Sequence, residues 1–209
     1  MKYSFDHRVW PGALVLLTAT LVLQRFYPPL AIPAFILFWA HFLFFRDPKP
    51  SVPAGESPVS PAEGKIVEIS RQTENRFLKE DSLKIGICLT VFNAHVNRTP
   101  IQGTVEYLEY APGKFRNALS ETSAQNESNW LGLKNGSKRV LVRQMAGAVA
   151  RRIFCDAQIG SRLDRGQKFG VICYGSRVEF FVPQKSFRPL IRIGDHVKAG
   201  QTVLGEWLS

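Results

Sequence analysis

Cysteine is scarce in this sequence. Its three residues, Cys88, Cys155 and Cys173, are odd in number, widely spaced and set in apolar runs. That excludes a disulfide framework and lacks the paired spacing of a zinc site, so buried, reduced thiols are expected. Histidine is as sparse: His7, His41, His95 and His196 include no pair four residues apart, and no metal site is assigned. Acidic residues are in the minority, 17 Asp and Glu against 27 Lys and Arg, for a formal charge of +10. A balance this basic points to an anionic partner, whether nucleic acid, a bilayer surface or a small acidic substrate. The basic residues are dispersed, without a recognition helix or a stacking motif, so nucleic acid is not expected. At 209 residues the chain suits one well-buried domain and an appendage.

Charge is also missing near the N-terminus. Trp10 to Leu23 carries none, Gln24-Arg25 interrupts, and Phe26 to Phe45 is again free of formal charge. A bilayer core about 30 Å thick needs roughly 20 helical residues, which the second run supplies and the first, about 14 long, does not. Pro28, Pro29 and Pro33 are expected to break or kink a helix, giving a re-entrant hairpin that turns between Arg25 and Pro33. Lys2 and Arg8 precede the first run, and Arg46 and Lys49 follow the second. The positive-inside bias then puts both ends on the cytoplasmic side of the cell membrane. A secretory signal would begin in the same way, but no clear small-x-small cleavage site follows and a second apolar run does. Residues 1–45 are therefore read as a membrane anchor, and 46–58 as a proline-rich extended linker.

Residues 59–209 are read as one domain, and after Gly64 the pattern changes to period two. "KIVEIS", "LKIGICLTV", "GTVEYLEYA", "KRVLVRQMAG", "RRIFCDAQIG", "FGVICYG" and "RVEFFVP" are short β-rich runs punctuated by Gly, Pro or Asn, which predicts a mainly β, sandwich or barrel-like domain. Gly160 to Gly166 and Gly194 to Gly200 share one Gly-x5-Gly spacing, a weak internal repeat of turn, strand and turn. On these grounds alone Gly175-Ser176 is a tight turn between two strands, His95 a core histidine, Glu63 a turn residue before Gly64, and Arg98 and Arg177 strand-edge charges.

Six ordered motifs alter that reading. "FFRDP", "SPAEGKIVEI", "FNAHVNRTPIQG", "NALSETSAQNESN", "RQMAGAVARRI" and "FGVICYGSRVEFFVP" together resemble the short form of the phosphatidylserine decarboxylase proenzyme family. The resemblance implies a lyase that makes its own cofactor. The Gly175-Ser176 bond is cut by the serine itself, leaving a β chain of 1–175, an α chain of 176–209 that stays with it as a heterodimer, and a pyruvoyl group in place of Ser176. Glycine before the serine removes the Cβ that would obstruct attack on the carbonyl. The implied activity is decarboxylation of phosphatidylserine to phosphatidylethanolamine at a membrane, through a Schiff base between the anionic serine phospholipid and the pyruvoyl ketone. The same chemistry on another serine phospholipid, such as archaetidylserine, stays open. So does a non-cleaving, membrane-tethered β module, because "IGDHVKAGQTVLGEW" is also similar to hairpins of biotinyl and lipoyl domains.

Site residues follow from the same resemblance. His95 is implied as the proton carrier. Glu63 stands where the family usually has an aspartate that orients the histidine, in a triad logic with Ser176. Arg98 and Arg177 are implied as partners for the substrate's phosphate or carboxylate, and Asn117 as a polar site residue or a loop cap. Gly147 and Ala150 suit close packing.

Overall fold

The computed structural model describes residues 3–113, 126–147, 152–173 and 176–208. The chain divides into two compact units, Met1–Lys49 and Pro50–Ser209.

The first unit is a helical hairpin. Helix α1 (Val9–Phe26) has 18 residues and α2 (Pro28–Phe44) has 17. By length and composition α1 is able to cross a bilayer, which reverses the expected order of the two runs: the helix extends past the uncharged stretch to take in Val9 and Gln24–Phe26. Arg25, in its last turn, is a favourable charge at a helix C-terminus. The break is one residue, Tyr27, because Pro28 and Pro29 occupy the first helical positions, where the missing N–H costs nothing. His41 of α2 donates from Nε2 to the Val9 carbonyl at 3.0 Å. Strand β1 (Tyr3–Phe5) pairs antiparallel with β2 (Arg46–Pro48), so the expected linker begins as an edge strand.

The rest of that segment lies on the second unit. Arg165 donates to the Ser57 carbonyl at 2.6 Å and Trp207 Nε1 to the Glu56 carbonyl at 3.1 Å, while Val59 bridges to Val203. The strands here are β3 (Gly64–Glu74), β4 (Glu80–Leu89), β5 (Val96–Arg98), β6 (Gly103–Ala111), β7 (Ser128–Asn135), β8 (Lys138–Met145), β9 (Ile153–Cys155), β10 (Arg162–Leu163), β11 (Lys168–Ile172), β12 (Ser176–Pro183), β13 (Phe187–Pro189), β14 (His196–Val197) and β15 (Gly205–Trp207). Eight form one sheet, in the order β10-β6-β7-β8-β12-β4-β3-β14, which curls into a half-barrel. A three-stranded sheet, β5-β11-β9, and the pair β13-β15 complete the domain. The mainly β expectation holds.

Alternation sets the core. Val178, Phe180 and Val182 of β12 are fully buried with Ile66, Ile85, Ile87, Leu131, Leu133, Val140 and Val142. The other face is covered locally: Leu78, Trp130, Leu141 and Phe181 form a second cluster. The turn carrying Leu78 is fastened by the Glu74 carboxylate, which accepts the backbone N–H groups of Arg76, Phe77 and Leu78 at 2.7–2.9 Å. Burial on both faces explains why "VEFFVP" reads as a nearly continuous apolar run.

The Gly-x5-Gly repeat has a structural counterpart at the two edges of the large sheet. The N–H of Gly194 donates to Ile66 O and that of Gly160 to Val105 O, both at 2.8 Å, and the return bonds from Ile66 to Asp195 and from Val105 to Ser161 are both 2.9 Å. All four repeat glycines have positive φ. "PAEGKI" at 61–66 and "PIQGTV" at 100–105 occupy matching places, so the two edges are built alike, and Gln102 stands where the other edge has Glu63.

Candidate active site

Three neighbouring strands bring separate motifs to one end of the sheet. Strand β4 ends at Leu89, and β12 begins at Ser176 directly opposite it. Strand β3 begins at Gly64, whose neighbour Lys65 lies across from Cys88. A Cβ on Gly64 would sit 2.2 Å from the Cys88 carbonyl oxygen, so glycine alone lets the chain carrying Glu63 approach this closely. Beyond Leu89, a turn over Thr90–Asn93 leads to His95 and β5.

Asn93 organises the turn. Its Oδ1 accepts from the Thr90 backbone N–H at 2.9 Å and from the Thr90 hydroxyl at 2.8 Å, and its own N–H donates to Thr90 O at 3.0 Å. The side-chain Nδ2 donates to Glu63 Oε1 at 3.2 Å. His95 is fully buried, with Nδ1 2.9 Å from the Asn93 carbonyl oxygen. A carbonyl only accepts, so Nδ1 carries the proton, and in the neutral ring the lone pair belongs to Nε2. The ring nitrogen with the lone pair, Nε2, is itself buried. The carboxylate of Glu63 thus reaches the histidine loop through Asn93, a residue to which the sequence analysis gave no role although it lies in the quoted motif.

The motif that contains Gly175-Ser176 also meets His95. The Ile172 N–H, at the end of β11, donates to the His95 carbonyl at 3.2 Å. The run read as two strands joined by a tight Gly-Ser turn is different in kind: β11 belongs to the three-stranded sheet and β12 to the eight-stranded one, and they do not pair with each other. The chain crosses between sheets there, leaving at His95 and rejoining opposite Leu89. Gly175 and Asn117 lie outside the described residues, as does Ala150.

The two arginines have separate surroundings. Arg98, buried, donates from Nη1 to the Gly166 carbonyl at 3.1 Å and pairs in register with Lys168, at the far end of β11 from Ile172. The structure does not bring its guanidinium to Ser176. Arg177, next to Ser176, is buried and engaged on the sheet's other face. It pairs with Glu68 and, at 3.1 Å, with Glu179, in a group that includes Lys84–Glu68 at 2.7 Å and Arg143–Glu179 at 3.4 Å. Burial favours the neutral acid of Glu68, but hydrogen bonds from Lys84, Ser70 and Arg177 outweigh it and hold its carboxyl below the usual range. Burial pushes the Cys88 thiol up, against the opposing charge of Arg177, which keeps this cysteine protonated and a poor nucleophile.

Beneath the site, between the sheets, runs a row of buried amides that single-residue reading missed. Asn129 Nδ2 donates to Gln144 Oε1 at 2.9 Å, and Gln144 Nε2 donates to Asn97 Oδ1 at 2.8 Å. Gln144 lies across from Val178 on β12 and Asn97 across from Gly170 on β11, so the row ties together the two sheets between which the chain crosses. The sequence signal, polar residues at inward positions of apolar strands, is visible only once register is known.

A family model described as phosphatidylserine decarboxylase matches residues 37–205. The chain is 44% identical over 203 residues to a phosphatidylserine decarboxylase proenzyme of Symbiobacterium thermophilum, covering 94% of this chain and 92% of that one. It is 39% identical over 195 residues to the proenzyme of the same name from Carboxydothermus hydrogenoformans, covering 92% and 91%. To that of Ralstonia pickettii it is 40% identical over 215 residues, covering 99% of each. No solved structure matches the chain.

Proposed function

Because the chain belongs to the phosphatidylserine decarboxylase family, we propose that it converts phosphatidylserine to phosphatidylethanolamine with a pyruvoyl group derived from Ser176 by self-cleavage after Gly175. The observation that carries this reading is the convergence of Ser176, His95 and Glu63 on one end of β12, β4 and β3.

In the cut, Ser176 Oγ attacks the Gly175 carbonyl carbon and its proton passes to His95 Nε2. The C–N bond breaks as the ester forms, so the proton held by the imidazole has the departing nitrogen as its acceptor. Asn93 holds the ring by its carbonyl and, through Nδ2, ties the same loop to Glu63. Elimination then releases the Gly175 carboxylate, and hydrolysis of the remaining enamine gives ammonia and the ketone. A pyruvoyl group at position 176 would begin β12 opposite Leu89, which is 3% exposed. Once formed, it supplies an electrophile for the substrate amine and a sink for the electrons left by carbon dioxide.

The two fragments remain together without that peptide bond. Strand β12 is hydrogen-bonded to both β4 and β8, and β14 to β3, so the α chain is anchored in the β chain's sheet as a heterodimer. The apolar α1 and its basic flanks support an anchor in the cell membrane, with the catalytic domain on the cytoplasmic face, where the net positive charge favours anionic lipid.

The test is release of labelled carbon dioxide from carboxyl-labelled phosphatidylserine by membranes containing the chain. Wild type is expected to release it and Ser176→Ala to release none; turnover by Ser176→Ala would rule out the proposed group.

A further inference from the structure

The turn that positions Asn93 also exposes two apolar side chains at its tip. Val91 is 52% exposed and Phe92 75%, in a turn closed by the bonds between Thr90 and Asn93. A phenylalanine three-quarters exposed leaves apolar surface where burial would be favourable. Its position is specific: Asn93, the next residue, bonds to Glu63, and His95 is two further on.

Two exposed cations lie on segments that neighbour the site: Lys65 is across from Cys88, three residues before Val91, and Arg152 is on the segment bonded to Cys173. Arg152 is exposed and its carbonyl accepts the Cys173 N–H at 3.1 Å, three residues before Ser176. Lys65 is also exposed, next to Gly64 at the start of β3. An apolar tip on a site whose neighbouring segments carry exposed cations matches the chemistry of an anionic phospholipid surface, with acyl chains below and phosphates above. A second copy of the chain fits less well, since two side chains on one turn fall far short of the roughly 800 Å² per partner that a stable interface buries.

We propose that the Val91-Phe92 tip inserts into the bilayer and seats the mouth of the active site on the lipid surface, with Arg152 and Lys65 meeting headgroup phosphates. This rests on the phospholipid reading above. A substrate whose headgroup must reach His95 carries chains that have to stay in an apolar phase, and the wedge brings the site to them.

Three measurements on the full chain, reconstituted in phosphatidylglycerol vesicles, decide it. Phe92→Ser should lower turnover of long-chain phosphatidylserine in vesicles by about tenfold or more, the scale of losing one buried aromatic contact. Turnover of a short-chain phosphatidylserine dissolved below its micelle concentration should be unchanged, and Phe92→Leu should restore most of the vesicle activity. Equal losses on both substrates, or none on either, would overturn the wedge. Phe92→Trp should show fluorescence quenching by lipids with brominated acyl chains in excess of that of the wild-type tryptophans, and no excess would overturn it. A change in oligomeric state on Phe92→Ser, read by sedimentation equilibrium, would assign the tip to a second copy instead. If wild type turns over neither substrate, the decarboxylase reading fails while the quenching result still decides the insertion.

Discussion

Asn93 donates its side-chain amide to Glu63 at 3.2 Å, and through that bond the carboxylate meets the loop that carries His95. If the three residues act as one unit in self-cleavage, their removal is not additive. Asn93→Ala and Glu63→Gln are each expected to slow processing by about tenfold or more, and the double variant to be little slower than the worse single one. Time courses on denaturing gels measure this, and full additivity would separate the two residues.

Glu63→Asp tests the length of the acid. Its carboxylate is one methylene shorter, so on this backbone the bond to Asn93 opens. Processing slower than wild type, with the turn intact by circular dichroism, is expected; faster processing would mean that the acid reaches His95 by another route.

Gln144 holds two buried amides at once. Gln144→Ala leaves Asn97 and Asn129 without these bonds, and buried polar groups stranded in this way cost about 1–3 kcal/mol each. A fall of that size in stability to denaturant checks it, with Gln144→Glu as a companion that tests whether charge, rather than loss of bonding, is the harm.

Acid should loosen the outer face of β12. The Glu68 carboxyl is held below its ordinary value of 4.5, so its folded pKa is depressed. The stabilisation is fully present above that value and lost as pH falls through the lower folded pKa. Glu68→Gln is expected to flatten this part of the acid dependence of the melting temperature, leaving the neutral-pH activity assay to show whether Arg177 still holds the start of β12.

Much of this was legible in the chain. The period-two runs gave the β domain, because side chains alternate across a strand, and the Gly-x5-Gly spacing marked turns that need positive φ. The resemblance put forward Ser176, His95 and Glu63 through contiguous motifs. The crossing between sheets at Cys173 to Ser176 was not legible, since two apolar runs around Gly-Ser look like a hairpin whatever their partners. Helix lengths in the anchor were misjudged because charge-free length was counted, while the helix itself continues through Gln24 and Arg25. The engagement of Arg98 with Gly166 and of Arg177 with Glu68 and Glu179 depends on pairs far apart in sequence, which no local pattern carries. Asn93 was in view but had no apparent task until Glu63 was placed beside it.

The central claim is that Ser176 cuts its own chain. Intact-mass analysis of the purified protein under denaturing conditions tests it most directly. Two chains of 175 and 34 residues are expected, the smaller carrying the mass of a pyruvoyl group in place of Ser176, with Ser176→Ala remaining whole. A single chain of 209 residues in preparations that decarboxylate phosphatidylserine would contradict it.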